Sequence, residues 1–200
     1  MRYGSGSVPL LTPSATRPNS AVLERTLRAQ CARPVTFSGP LTPTAGFRFA
    51  RVLRPLGSGP DVFAQAVRGL HDWAVYPAWI TLHPHPAPLR KGSCAVFVTG
   101  FAPLWTVSAV RITDVETSAR RFAFTLRTLP QHALTGAERF CVYRDERGAV
   151  WYELTALSRP QGPLARFGTP AVRLVQARFA RDSARSLKQF VERDGPASER

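Results

Sequence analysis

Residues 121–160, RFAFTLRTLPQHALTGAERFCVYRDERGAVWYELTALSRP, decide the fold. Phe122, Phe124 and Leu126 alternate with Ala123, Thr125 and Arg127, the period of two that puts one face of a strand in the core. Two further apolar runs, 138–145 and 149–158, flank Asp145-Glu146-Arg147-Gly148, whose residue types make a hairpin turn. Connections this short join antiparallel neighbours, because a parallel pair needs a long crossover. The stretch therefore reads as an antiparallel meander with strands over 120–128, 138–145 and 149–158.

Working upstream, the same reading gives strands over 78–83, 93–101 and 104–115. Residues 92–110 carry no charge over 19 positions, close to a membrane-spanning length. Gly100 and Pro103 interrupt the run, so two buried strands are expected and no transmembrane helix. Phe47 to Leu56 reads as a strand ended by Gly57-Ser58-Gly59. Pro60 suits a first helical position and Asp61 the positive end of a helix. Phe63, Ala66, Val67, Leu70, Trp73 and Ala74 recur at three-to-four spacing, which predicts an amphipathic helix over 60–75. The glycine turn lacks the Gly-Lys-Ser/Thr ending of a phosphate loop.

Downstream of Pro160 the period returns to 3.6, and Pro170 opens a helix running to about Arg193. Val172, Val175, Phe179 and Phe190 share its apolar face with Gln176 and Ser183, while Arg178, Arg181, Arg185 and Lys188 project from the other side. Strand, helix, six-strand antiparallel run and long final helix make an α+β fold. A curved antiparallel sheet wrapped around a C-terminal helix is the helix-grip arrangement, and its concave face often leaves a cavity.

The chain has 200 residues, 44% of them hydrophobic and 10% aromatic, ample for one domain with a real core. The expected organisation is a disordered tail over 1–18, a helix and proline-rich linker over 19–45, the helix-grip domain over 46–194 and a disordered end at 195–200. Asn19 and Ser20 are placed to cap the short helix bearing Val22, Leu23 and Leu27. Cys31, Cys94 and Cys141 are odd in number and form no CxxC pair, so no disulfide framework and no cysteine zinc site is expected. Cys94 and Cys141 read as small core residues, and a cytoplasmic home follows, with no secretory signal at the N-terminus.

Net charge is +14. Eight arginines face the lone Glu24 within residues 1–60, and nine basic residues face four acidic ones within 159–200. Such a surface attracts nucleic acid or anionic lipid through long-range electrostatics. Biased composition explains the same excess, since Ala, Pro and Arg are abundant and Lys is confined to Lys91 and Lys188.

Several motifs then occur in order: Thr128-Leu129-Pro130-Gln131-His132, Gly136-Ala137-Glu138-Arg139-Phe140, Trp151 and Ala156-Leu157-Ser158-Arg159-Pro160. With Leu56-Gly57-Ser58-Gly59, Phe63, Trp73, Pro170 and Gln176, they resemble the family catalogued as domain of unknown function nineteen-ninety. The resemblance spans about residues 46–190. Gln131 stands where that family usually has Gly, Ala137 where a second acid is common, and Arg127 where Gly is common; the Cys-Arg pair associated with strand 107–112 is missing. The family is similar to START-like and birch-allergen-like helix-grip proteins, which implies a cavity for lipophilic molecules and no established activity.

Three functional readings follow. The first is binding of a lipophilic or aromatic small molecule in a cavity lined by Phe122, Phe124, Leu126, Val175 and Phe179. The second is docking of an Arg-rich surface, centred on Arg178, Arg181 and Arg185, onto nucleic acid or anionic membrane. Aromatic-arginine neighbours such as Phe47-Arg48-Phe49 fit that reading, though strand alternation alone generates them. The third is cavity catalysis by His132, Glu138 and Arg159: an imidazole that titrates near neutrality, a carboxylate to orient it and a guanidinium to hold an oxyanion. Hairpin geometry is expected to bring Glu138 beside Arg159, where the pair would also serve as a structural brace. His83-Pro84-His85 has metal-ligand spacing but no neighbouring acid or cysteine, so no metal is expected, and no cofactor signature is present.

Overall fold

The alternating strands close into one seven-stranded antiparallel sheet. The computed structural model describes residues 16–101, 104–161 and 169–194; of the expected tails, 1–15 and 195–200 lie outside the described residues. The elements are α1 (Ser20–Cys31), β1 (Arg48–Ser58), α2 (Pro60–His71), β2 (Ile80–His83), β3 (Cys94–Phe101), β4 (Leu104–Ser118), β5 (Arg121–Thr128), β6 (Leu134–Arg144), β7 (Ala149–Pro160) and α3 (Thr169–Asp194). Strands β2 to β7 meander in chain order, and β1 joins the far side of β7, giving the order β1-β7-β6-β5-β4-β3-β2. The α+β helix-grip arrangement predicted from element order is the one observed.

The sheet buries its inner face and part of its outer one. Its inner face packs Phe97, Ile112, Phe124, Phe140 and Tyr152 against Leu70 of α2 and Leu187 and Val191 of α3. The two helices approach closely because Gly69 has no side chain: a Cβ there would lie 2.6 Å from Leu187 Cδ1. Among the described residues no helix is long and apolar enough to cross a membrane.

The outer face of β3 and β4 carries a second cluster. Val96, Val98, Ala109 and Leu129 pack there against Leu23 of α1, with Leu27 and Val35 beside them. Asn19 caps α1 as expected, its Oδ1 accepting the Val22 N–H at 3.0 Å. The segment after α1 is then tied down by polar contacts. The Thr36 N–H donates to the Thr128 carbonyl at 2.9 Å, Arg127 donates to the Phe37 and Gly39 carbonyls, and Arg111 donates to the Cys31 and Arg33 carbonyls.

Two expectations need correction here. Cys94 is bonded to Cys31 across 63 residues of sequence, so it is half of a crosslink and not a free core thiol. The pairing comes from tertiary structure: α1 ends over the first residue of β3, and no local spacing signals that meeting. Cys141 is the free, buried cysteine. The helix predicted over 60–75 stops at His71 because Trp73 adopts φ 57°. The Ala74 N–H then returns to the Gly69 carbonyl and the Trp73 N–H to the Leu70 carbonyl, closing the last turn. That reversal swings Trp73 into the core, where its indole N–H donates to the Ala87 carbonyl at 2.7 Å.

Closing a loop of this length stabilises by about 4 kcal/mol on chain-entropy grounds. Thermal unfolding of the wild type is therefore expected to shift down by several degrees when reductant is added, while Cys31→Ser/Cys94→Ser starts lower and ignores reductant. Gly136→Ala is expected to be worse than the ~1–3 kcal/mol of ordinary overpacking, because the added Cβ would collide with the Leu157 carbonyl oxygen of the adjoining strand, a backbone atom that cannot swing aside. Chemical denaturation of that variant tests it.

Candidate functional site

Side-chain direction in this sheet follows from register. Leu126 lies opposite Glu138 across β5 and β6, and Glu138 lies opposite Ala156 across β6 and β7. Glu138 thus shares the inner face with Phe122, Phe124, Leu126, Phe140 and Tyr152. Arg159 lies opposite Thr135, three residues along β6 from Glu138. An odd offset puts the two side chains on opposite faces, so the expected Glu138–Arg159 pair does not form. Arg159 stacks instead over the Phe47 ring, 4.8 Å from its centre.

His132 is also remote from Glu138 in role. Its Nδ1 accepts the Leu134 N–H at 3.0 Å, which leaves the proton of the neutral ring on Nε2. Burial pushes its pKa from 6.5 down to about 4, so near neutrality the ring is an uncharged brace for the loop into β6. The neighbouring residues of the same motif are similarly occupied. Thr128 Oγ1 meets the Thr36 hydroxyl at 2.6 Å and accepts the Gly136 N–H, and the Gln131 N–H donates to the Gln30 side chain of α1.

The interior holds a polar group that the sequence reading missed. Tyr76, in the connection between α2 and β2, stacks on Phe97 with centres 4.4 Å apart and contacts Trp73, Phe140 and Phe179. Its hydroxyl is buried with no hydrogen-bond partner. The Glu138 charge reaches both Tyr76 and Tyr152, and with burial as the larger cause it raises the pKa of each phenol. Tyr152 is satisfied, meeting the Ser183 hydroxyl of α3 at 2.6 Å. No hydrogen bond or ion pair reaches the Glu138 carboxylate among the described residues, and burial alone lifts its pKa from 4.5 to about 7. An unpartnered phenol and an unpaired acid thus face an aromatic wall. Such a pair can hold a carbonyl or hydroxyl of a bound molecule, with the acid donating when protonated and accepting when ionised. No sequence signal marks Tyr76, since a missing partner is a property of packing alone.

The other predicted residues fall in two groups. Phe122, Phe124 and Leu126 are buried in the inner core, while Phe179 packs at its edge against Tyr76 and Phe140 and Val175 is half-buried nearby; Val172 is outside the described side chains. On the outer side of α3, Arg178 and Arg185 both pair with Asp182, and Arg178 also covers the Trp79 ring. His83 contacts Glu24 of α1 at 3.2 Å, and no group of three or more His, Cys, Asp or Glu converges among the described residues.

The Glu138 and His132 shifts act on stability with opposite signs. The folded pKa of Glu138 lies above its unfolded value, so its contribution is fully present below pH 4.5 and is lost as pH rises toward 7. His132 is depressed, so its contribution is present above pH 6.5 and lost as pH falls toward 4. Glu138→Gln removes the first effect alone. Between pH 5 and 8 it is expected to gain on the wild type by up to about 3 kcal/mol in urea unfolding. Parallel pH profiles for the two proteins would mean that the carboxylate has a compensating partner.

Residues 32–186 match the family described as "Domain of unknown function (DUF1990)". A UPF0548 protein of Deinococcus radiodurans is 35% identical over 144 residues, covering 66% of this chain and 72% of that one. One from Arabidopsis thaliana is 31% identical over 150 residues, covering 71% of each. Among solved structures, the Zhui aromatase/cyclase from Streptomyces sp. R1128 superposes with a TM-score of 0.54 at 11% identity, over 76% of this chain and 98% of that one. A protein from Thermus thermophilus superposes with a TM-score of 0.53 at 13% identity, over 74% and 100%. The structural likenesses share the helix-grip fold, and the sequence match, spanning the motif strands and most of the final helix, places this chain in the DUF1990 family.

Proposed function

We propose that this protein binds a lipophilic or aromatic small molecule between the inner sheet face and α3, gripping a polar atom of it with Tyr76 and Glu138. The observation that carries the reading is the buried Tyr76 hydroxyl without a partner. A stranded phenol of this kind costs about 1–3 kcal/mol, and a bound hydroxyl or carbonyl would recover that. Phe122, Phe124 and Leu126 form the floor, and the half-buried Tyr76, Val175 and Phe179 form the side through which a ring would enter by displacing side chains. The fold likeness to a protein named as an aromatase/cyclase makes polycyclic phenols the first probes. Docking of the basic helix onto nucleic acid or anionic lipid is the weaker reading, because Arg178 and Arg185 already share Asp182.

The neutral phenol 2-naphthol tests the proposal through its own fluorescence. Saturable binding is expected, and Tyr76→Phe is expected to weaken it about tenfold, the value of one hydrogen bond, while folding at least as stably as the wild type. Tyr152→Phe separates structure from binding: it strands the fully buried Ser183 hydroxyl and should lower stability by about 1–3 kcal/mol. Absence of saturable binding, or unchanged affinity in Tyr76→Phe, would reject the reading.

A further inference from the structure

A cavity lies away from Tyr76 and Glu138, at the end of the sheet where β1 begins, β7 finishes and α3 passes over them. Its volume is about 290 Å³, and Arg48, Arg159 and Arg173 all line it with Phe47, Ser158 and Gln176. Among the described residues, no acidic side chain is one of the lining groups. Some arginines elsewhere find carboxylates: Arg51 pairs with Glu153, Arg139 with Glu116, and Arg178 and Arg185 with Asp182. The three at the cavity have no ion pair among the described residues.

The neutral groups there are arranged as donors. Gln176 Nε2 donates to Ser158 Oγ at 2.8 Å, so the Ser158 hydroxyl has its own proton left to give. The Gln176 carbonyl oxygen is the acceptor in this set and is already engaged by Arg48 at 3.5 Å. Arg159, the next residue along β7 from Ser158, turns to the opposite face and lays its guanidinium over the Phe47 ring, so it borders the cavity and is not one of these donors. Arg173 and Gln176 come from the second turn of α3. Like charges gathered around one concavity repel, and an oxyanion between them would turn that repulsion into charge-assisted hydrogen bonding.

We propose that this cavity binds the oxyanion of a small organic acid, a phosphate monoester or a carboxylate, with Arg48 and Arg173 as charge partners and Ser158 as a neutral donor. Its volume admits a carbon body as well as the anionic group, and Leu134 and Pro160 add apolar surface to the lining. The site is independent of the Tyr76 and Glu138 reading.

Isothermal titration with phenyl phosphate and with benzoate, at one fixed ionic strength, tests the site and tells the two anion sources apart. Saturable binding of one probe at one site per chain is expected. Arg48→Ala/Arg173→Ala should weaken it tenfold or more, roughly one charged hydrogen bond or greater, and each single variant should weaken it in the same direction. Ser158→Ala should weaken it too, which a diffuse positive surface would not do. Arg178→Ala, on the far side of α3, and Tyr76→Phe should leave it unchanged. Failure of both probes to saturate, or equal loss in Arg178→Ala and the double variant, would overturn the proposal.

Discussion

The pairing of β6 with β7, with Gly136 opposite Ser158, governs which groups on this sheet can ever meet. Backbone contact is so close at that point that no side chain fits on Gly136. With the register locked, each residue of β6 and β7 is committed to one face, since a slip by one position would turn every side chain over. Glu138 and Ser158 are committed to the inner face and Arg159 to the outer one. Two sites of different character therefore arise from one hairpin: an aromatic interior with a lone acid, and a basic cavity without one.

The inner face achieves its density through two close approaches. Gly69 lets Leu187 of α3 sit against α2, and the Trp73 reversal turns a large ring inward where the helix would otherwise have continued. Phe124, Phe140 and Tyr152 fill the space beneath. Against this packing the Tyr76 hydroxyl is an exception to the rule that buried polar groups find partners, and Glu138 beside it is an acid whose ionisation the surroundings oppose.

Much of the fold was legible in the residues because periodicity reports it directly. The alternation at 122–127, the hairpin turn at 145–148 and the long 3.6-period helix each predict the element observed there, and their order predicts the architecture. The helix end at His71 was not legible, because a tryptophan in the left-handed region contradicts its usual preference. The Cys31–Cys94 bond and the strap of residues 30–39 were invisible for a related reason: both depend on groups far apart in sequence. The candidate site was read only in part. Glu138 was singled out from a motif, but its assumed partner was chosen by strand ends and not by parity. The Thr128–His132 motif looked chemical, yet its side chains and backbone mostly anchor α1 and the strap. Tyr76 fell between two predicted elements and carried no pattern.

The Cys31–Cys94 bond also changes how the molecule would bear load. Tension applied at the two ends of the chain would run from α1 straight into β3 and bypass the intervening segment, which contains β1, α2 and β2. A loop of 63 residues amounts to about 200 Å of extended contour, and all of it stays hidden from the applied force while the bond is intact. β1, which closes the sheet beside β7, is therefore shielded from mechanical peeling from the N-terminal side. Reduction would lengthen the extensible chain and expose that strand to shear.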